Sequence, residues 1–273
     1  MTITLLRHLP RFLLAEMRRE LRLRLSYRLQ ALSSFLLWLV AFPLMMITFD
    51  GVAHDAAGGY GAEGQLASLI GFLVWRLCAG LPAAAAGDLV EEARQGTLES
   101  LFLSPLPPLL LVGGRMGAWL LRQLAETALL GLALLLLLDL SLPPSGAALL
   151  ILTLTILGAA GAALALCGLA LAHKQVESVA GILTLLAVLF TGALVPLNGL
   201  GALFTALKLL VPTTWGIDLL RQALQNGAAL SALWASGALP GLALQTALLL
   251  AGGAAAFRRG LRRAQRDGGL GDY

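Results

Sequence analysis

The feature that most limits what this chain can become is a series of apolar runs, each about as long as a membrane is thick. A helix needs roughly 20 apolar residues to cross about 30 Å of hydrocarbon. Runs of that kind recur between residues 31 and 257, separated by short polar breaks. They are built from Leu, Ala and Gly with little Val or Ile, which favours helices over the alternating, β-branched strands of a barrel. The chain is 58% hydrophobic and 12% charged, whereas soluble domains carry about a quarter charged residues. Helices and closed barrels alone satisfy the backbone inside lipid, so the expected fold class is an all-α polytopic membrane protein.

Six spans are expected, at about 31–49, 65–87, 116–138, 147–172, 177–195 and 234–257. The first is too long for a signal-peptide core and lacks a small-x-small site after it. The fourth is dense in small residues (Gly158, Gly161, Ala162, Ala165, Gly168), which lets helices approach closely and predicts a central place. Residues 196–232 are too broken by Pro196, Gly199, Gly201 and Pro212 to be one span. They contain two short amphipathic pieces, about 200–210 and 214–225, read as re-entrant or surface helices at the outer end, with Trp215 suited to an interface.

Charge distribution orients this series. Seven arginines (Arg7, Arg11, Arg18, Arg19, Arg22, Arg24, Arg28) precede the first span, and five (Arg258, Arg259, Arg262, Arg263, Arg266) follow the last. The 50–64 loop carries three acids and no Lys or Arg, and only Lys208 and Arg221 are basic in the segments assigned outside. By the positive-inside rule both termini are cytoplasmic and the chain is a multi-pass protein of the plasma (inner) membrane. These clusters read as topology signals and lipid-bilayer contacts, with no nucleic-acid partner expected. Residues 8–28 fit a helix lying on the membrane surface, Leu13, Leu14, Met17, Leu21 and Leu25 sharing one side and Arg11, Arg18, Arg19 and Arg22 mostly opposite; Arg24 interrupts the pattern. The domain layout is then a cytoplasmic N-terminus (1–30), a transmembrane unit (31–257) and a basic cytoplasmic tail (258–273).

Within the transmembrane unit, residues 88–115 are unusually polar. Asp88, Glu91, Glu92 and Glu99 fall within twelve residues. Gly96 breaks an acidic helix, Thr97 is a good N-cap for a new one, and Glu99 suits its first turn. Leu98, Leu101 and Phe102 share a face at i, i+3 and i+4, and Ser104–Pro105 ends the helix. A short helix with an apolar face on a cytosolic loop predicts a groove on another protein, the alternative being that the face packs onto the chain's own bundle or lipid headgroups.

Catalytic chemistry is not legible. No G-x-x-x-x-G-K-[ST] loop, H-E-x-x-H or G-x-S-x-G occurs, so no nucleotide hydrolysis by that phosphate loop is expected of this chain, which is not read as an enzyme. Cys78 and Cys167 lie inside apolar runs, and His8, His54 and His173 are isolated in sequence, so no metal or other cofactor is expected. Two charges do lie within spans. Arg76 is twelve residues (about 18 Å) from Asp88, and Glu126 is eleven (about 16 Å) from Arg115. Matching depths on consecutive spans predict that they pair, either as a clamp between helices or as part of a transport path.

The run Glu92…Gly96-Thr97-Leu98-Glu99…Leu101…Ser104-Pro105…Gly114-Arg115 resembles the loop after the second span in type-2 ATP-binding cassette exporter permeases. That family includes drug-efflux and polysaccharide or teichoic-acid export permeases. The basic N-terminal helix, six spans and Pro-broken outer helices are similar to that family too. The resemblance implies a permease subunit that dimerises with a second permease subunit, identical or not. It implies two separate ATPase subunits, which bind ATP-Mg, docked beneath; the coupling helix would be 97–104, with Glu92 and Glu99 near the ATPase groove. The haem-exporter-B-like permeases of cytochrome c biogenesis have a similar Gly-Ser/Thr-Leu-Glu loop but lack a segment like 196–232. A non-transporting membrane assembly or regulatory protein is the reading from another class.

Overall fold

The computed structural model describes residues 12–20, 22, 26–57, 62–103, 106–143, 145–172 and 211–266. Among these the fold is all-α, without strands. Residues 12–20 are helical. The longer elements are α1 (Arg28–Ala57), α2 (Ala62–Cys78), α3 (Gly80–Arg94), α4 (Leu98–Phe102), α5 (Pro108–Leu137), α6 (Gly146–Ala172), α7 (Pro212–Leu224), α8 (Leu230–Ala235) and α9 (Ala238–Arg266).

Among the described residues five stretches are long and apolar enough to cross a membrane: Arg28–Thr48, Glu63–Arg94, Pro108–Leu137, Gly146–Ala172 and Ala238–Arg266. The expected span at 177–195, the outer piece at 200–210 and the turn at 173–175 lie outside the described residues. Several boundaries move relative to expectation. α1 continues to Ala57, through the first part of the expected 50–64 loop. The acidic helix that ends before Gly96 continues the second span through Asp88 and Glu92 to Arg94, as expected, whereas α5 starts at Pro108, eight residues before the expected 116. The expected loop of 88–115 therefore shrinks to a tight turn around α4. The last span begins at Ala238, after a break where Gly237 takes φ +75°, and stays helical through the arginines to Arg266.

Small residues put α6 at the centre. It packs against α9, α3, α7 and α2, with its most extensive contact along α9. There the backbones nearly touch: Gly253 sits on the Gly161 carbonyl, and Gly260 on the Gly168 carbonyl. A Cβ at any of these four positions would collide with backbone, which cannot yield as a flexible side chain can. Thr246 Oγ1 donates to the Leu154 carbonyl at 3.0 Å across the same seam. A second core joins α1, α2 and α5, where Phe42, Leu69, Phe72, Leu130 and Leu134 are buried. Trp38, Phe42, Phe72 and Trp75 stack there at centroid separations of 4.8–6.1 Å.

At the opposite end of the bundle from α4, α7 caps the helices. Pro212 opens it within the first turn, where a missing N–H costs nothing. Arg221 Nε donates to the Ala67 carbonyl at 2.8 Å, and Gln225 Nε2 to the Glu63 carbonyl at 2.6 Å. Side chains four apart on α7 thus grip carbonyls four apart on α2. Burial pulls the Arg221 guanidinium down to about 10 while Asp218 opposes the shift, so it stays charged at neutral pH.

Candidate functional site: a turn and a ladder of ion pairs

The turn between α3 and α5 is built by a glycine. Gly96 has φ +68°, a region open to it because it lacks a Cβ. Its N–H donates to the Ala93 carbonyl (3.1 Å) and that of Thr97 to the Glu92 carbonyl (2.9 Å), the paired bonds that close a helix C-terminus before a left-handed residue. α4 follows, with Leu101 N–H donating to the Thr97 carbonyl at 3.0 Å. It is five residues long, shorter than the expected 97–104, and Ser104 and Pro105 lie outside the described residues, as does the side chain of Glu99.

The Thr97 hydroxyl turns back to the carboxylate and carbonyl of Glu92. Of the two places expected for the apolar face of Leu98, Leu101 and Phe102, the chain's own bundle takes most of it. Leu98 is 1% exposed within the main core, and Leu101 and Phe102 are half-buried, Phe102 against that core. A helix of five residues directly under a bundle finds its nearest apolar surface in its own chain. What points outward is Glu91, Arg94, Gln95, Gly96, Thr97, Ser100 and Leu103, the last 78% exposed.

Behind the turn runs a ladder of ion pairs along α5. Arg115 Nη2 donates to Glu92 Oε1 at 2.8 Å, and its Nε lies 3.5 Å from Glu16 Oε1. Glu16 in turn meets Arg19 at 3.4 Å. Seven residues along α5, about 10 Å, Arg122 Nε donates to Glu20 Oε2 at 3.1 Å and Nη1 to Glu126 Oε1 at 2.9 Å. The other Glu126 oxygen lies 3.7 Å from Arg76 Nη2. Arg76 and Glu126 are thus brought together, and Gln123 Nε2 donates to the Arg76 carbonyl beside them at 3.2 Å. The two guanidiniums also lie over indoles, Arg76 5.9 Å from Trp38 and Arg122 5.7 Å from Trp119.

Each cluster sets opposite charges against one another. Arg115 and Arg19 face Glu92 and Glu16, with Asp88 lining the same pocket as Arg115; Arg76 and Arg122 face Glu126 and Glu20. An isolated ion inside a span costs several kcal/mol or more, but a compensated, hydrogen-bonded group avoids most of that cost. Arg122, Glu16 and Glu20 are the members that sequence reasoning missed.

The two acids come from the helical stretch 12–20, which has three faces rather than two. Phe12, Glu16 and Glu20, spaced by four, are half-buried and turn toward α5, with Phe12 packed against Gly114. Leu13, Leu14 and Met17 are exposed on the next arc, and Arg18 and Arg19 on the third. A signal was present: two acids at i, i+4 in a segment otherwise rich in arginine.

Between α2, α6 and α7 an open cleft of about 520 Å³ is walled mainly by Ile70, Leu73, Val74, Leu149, Leu152 and Leu220. Among the described residues no group of His, Cys, Asp and Glu has metal-site geometry. The features in hand are therefore an apolar helical bundle, a tight polar turn at one end of it, and paired charges leading from that turn into the spans. No relative was found among curated proteins. The ABC-2 type transporter family model, however, matches residues 13–224, which takes in the 12–20 stretch, the turn, the ladder and α7. The chain therefore belongs to the ABC-2 type transporter family, as a membrane-embedded permease.

Proposed function

We propose that this chain is the permease subunit of an ATP-driven exporter, paired with a second permease subunit and driven by separate ATPase subunits that dock on the turn at 95–103. In this reading six spans cross the inner membrane with both termini cytoplasmic, and ATP-Mg is bound by the partner. The observation that carries the docking assignment is the construction of the turn. Its outer surface is exposed and tipped by Leu103, while its base is fixed by Leu98 in the core and by Glu92 on Arg115. A push on such a turn is passed to α3 and α5 rather than absorbed by it, because packed interiors deform little.

The residues assigned to coupling divide accordingly. Leu103 with the exposed edge of Leu101 and Phe102 meets the ATPase; Glu92, Gly96, Thr97 and Leu98 hold the turn's shape. The Arg76–Glu126 pair acts as a clamp between α2 and α5. The apolar cleft beside α7 suits an amphipathic cargo.

The test is purification of the permease with the ATPase encoded beside it. Leu103→Asp should lower ATPase retention by about tenfold or more and abolish permease-dependent ATP turnover, as loss of a central apolar contact does. Thermal stability should not move, because the side chain is exposed. Full retention and turnover in that variant would remove the docking assignment.

A further inference from the structure

The arginines at the end of α9 are more ordered than a charged tail. α9 is helical to Arg266, and Arg258, Arg259, Arg262, Arg263 and Arg266 are all exposed. At 100° per residue the five fall on one arc of about 140°. Phe257, Gly260 and Ala264 occupy the opposite side and are buried. The arc is held at a set angle, because Gly260 lies on the Gly168 carbonyl and leaves α9 no freedom to rotate. Among the described residues no carboxylate pairs with any of these guanidiniums.

The same arc, followed back along α9, carries Leu244 and Leu248, 62% and 64% exposed. A face that shows large leucines along a membrane span is the face lipid covers. The arginines continue it from about 1.5 to 14 Å past Phe257, the depth of the headgroup layer beyond the hydrocarbon.

We propose that this arc is a binding site for the headgroups of anionic phospholipids, the same molecules whose chains cover Leu244 and Leu248. Five guanidiniums in two and a half turns present forked donors that match phosphate oxygens. Basic clusters of this size directly beside a span are a recognised anionic-lipid signature. An acidic protein partner fits less well, because the arc points out from the bundle into lipid. The inference needs only that α9 crosses a bilayer, so it stands apart from the transport reading.

The experiment is native mass spectrometry of the full chain in detergent, with phosphatidylglycerol and phosphatidylcholine supplied in equal amounts. The wild type should retain phosphatidylglycerol in several-fold preference, and the preference should fall as salt is raised to about 0.5 M, where the screening length approaches 4–5 Å. The variant Arg258→Gln/Arg259→Gln/Arg262→Gln should lose about tenfold or more of that retention, and the corresponding triple Lys variant should keep most of it. Equal retention of the two lipids by the wild type would overturn the site, and that arm does not depend on the variants folding. A folded Gln variant that keeps the wild-type preference for phosphatidylglycerol would likewise overturn it.

Discussion

Replacing one member of the Arg76–Glu126–Arg122–Glu20 cluster takes an opposite charge from its partners where water is scarce. Glu126→Gln removes the carboxylate 3.7 Å from Arg76, and Arg76→Gln removes one of the guanidiniums beside Glu126. Each single change should cost about 1–3 kcal/mol. That is less than the roughly 3–5 kcal/mol of a fully enclosed pair, because the Glu126 side chain keeps 20% of its surface exposed. The double variant Arg76→Gln/Glu126→Gln removes one charge of each sign and leaves Arg122 with Glu20. It should therefore be closer to wild type than the sum of the singles, in a cycle measured by thermal unfolding in detergent. Additive losses would show that the pair is not coupled. The Arg76–Glu126 partnership was legible from the chain, because both residues sit at similar distances from the turn that joins their spans. Arg122 was not, since it lies one turn from Glu126 and reads as an ordinary i, i+4 neighbour. Its second partner, Glu20, is 102 positions away, and no local pattern encodes that distance.

Among elements, α6 and α9 form the seam around which the others are arranged, and two neighbouring glycines test it. Gly253 faces the Gly161 carbonyl, while a Cβ at Gly252 would meet open space. Gly253→Val should cost about 3 kcal/mol or more through forced separation of the helices. Gly252→Ala should stay within about 1 kcal/mol of wild type, with alanine's helix preference acting in its favour. Comparable melting temperatures for the two variants would contradict the close backbone contact. The small-residue spacing in α6 did foretell this central place. Helix ends were less legible: α5 begins at Pro108 and α1 runs to Ala57, because polar or glycine-bearing turns continue a helix whenever the helix itself satisfies their backbone. The face of residues 12–20 that meets α5 was hidden for a related reason. Leucines and arginines dominate that stretch and suggest two faces, whereas the acids that dock it are sparse and find their partners only in the folded chain.

For the whole molecule, the turn, the 12–20 stretch and α5 form one connected unit. Glu92 ties α3 to Arg115, Glu16 ties the N-terminal stretch to the same guanidinium, and Arg122 repeats the arrangement about 10 Å further on. In the proposed exporter, ATPase closure against the turn would reach the spans through these pairs. The polar composition of 88–115 singled out this region as the candidate handle, but its outward surface could not be read from periodicity. Leu98, Leu101 and Phe102 have the spacing of a partner-binding face, yet Leu98 lies in the protein's own core and Phe102 packs against it, which leaves Leu103 at the tip. The most direct measurement is photocrosslinking from p-benzoylphenylalanine placed singly at 103 and at 98, in membranes holding the permease and its ATPase. The account predicts an adduct between permease and ATPase from position 103 and none from position 98. An adduct from 98 with none from 103 would contradict it.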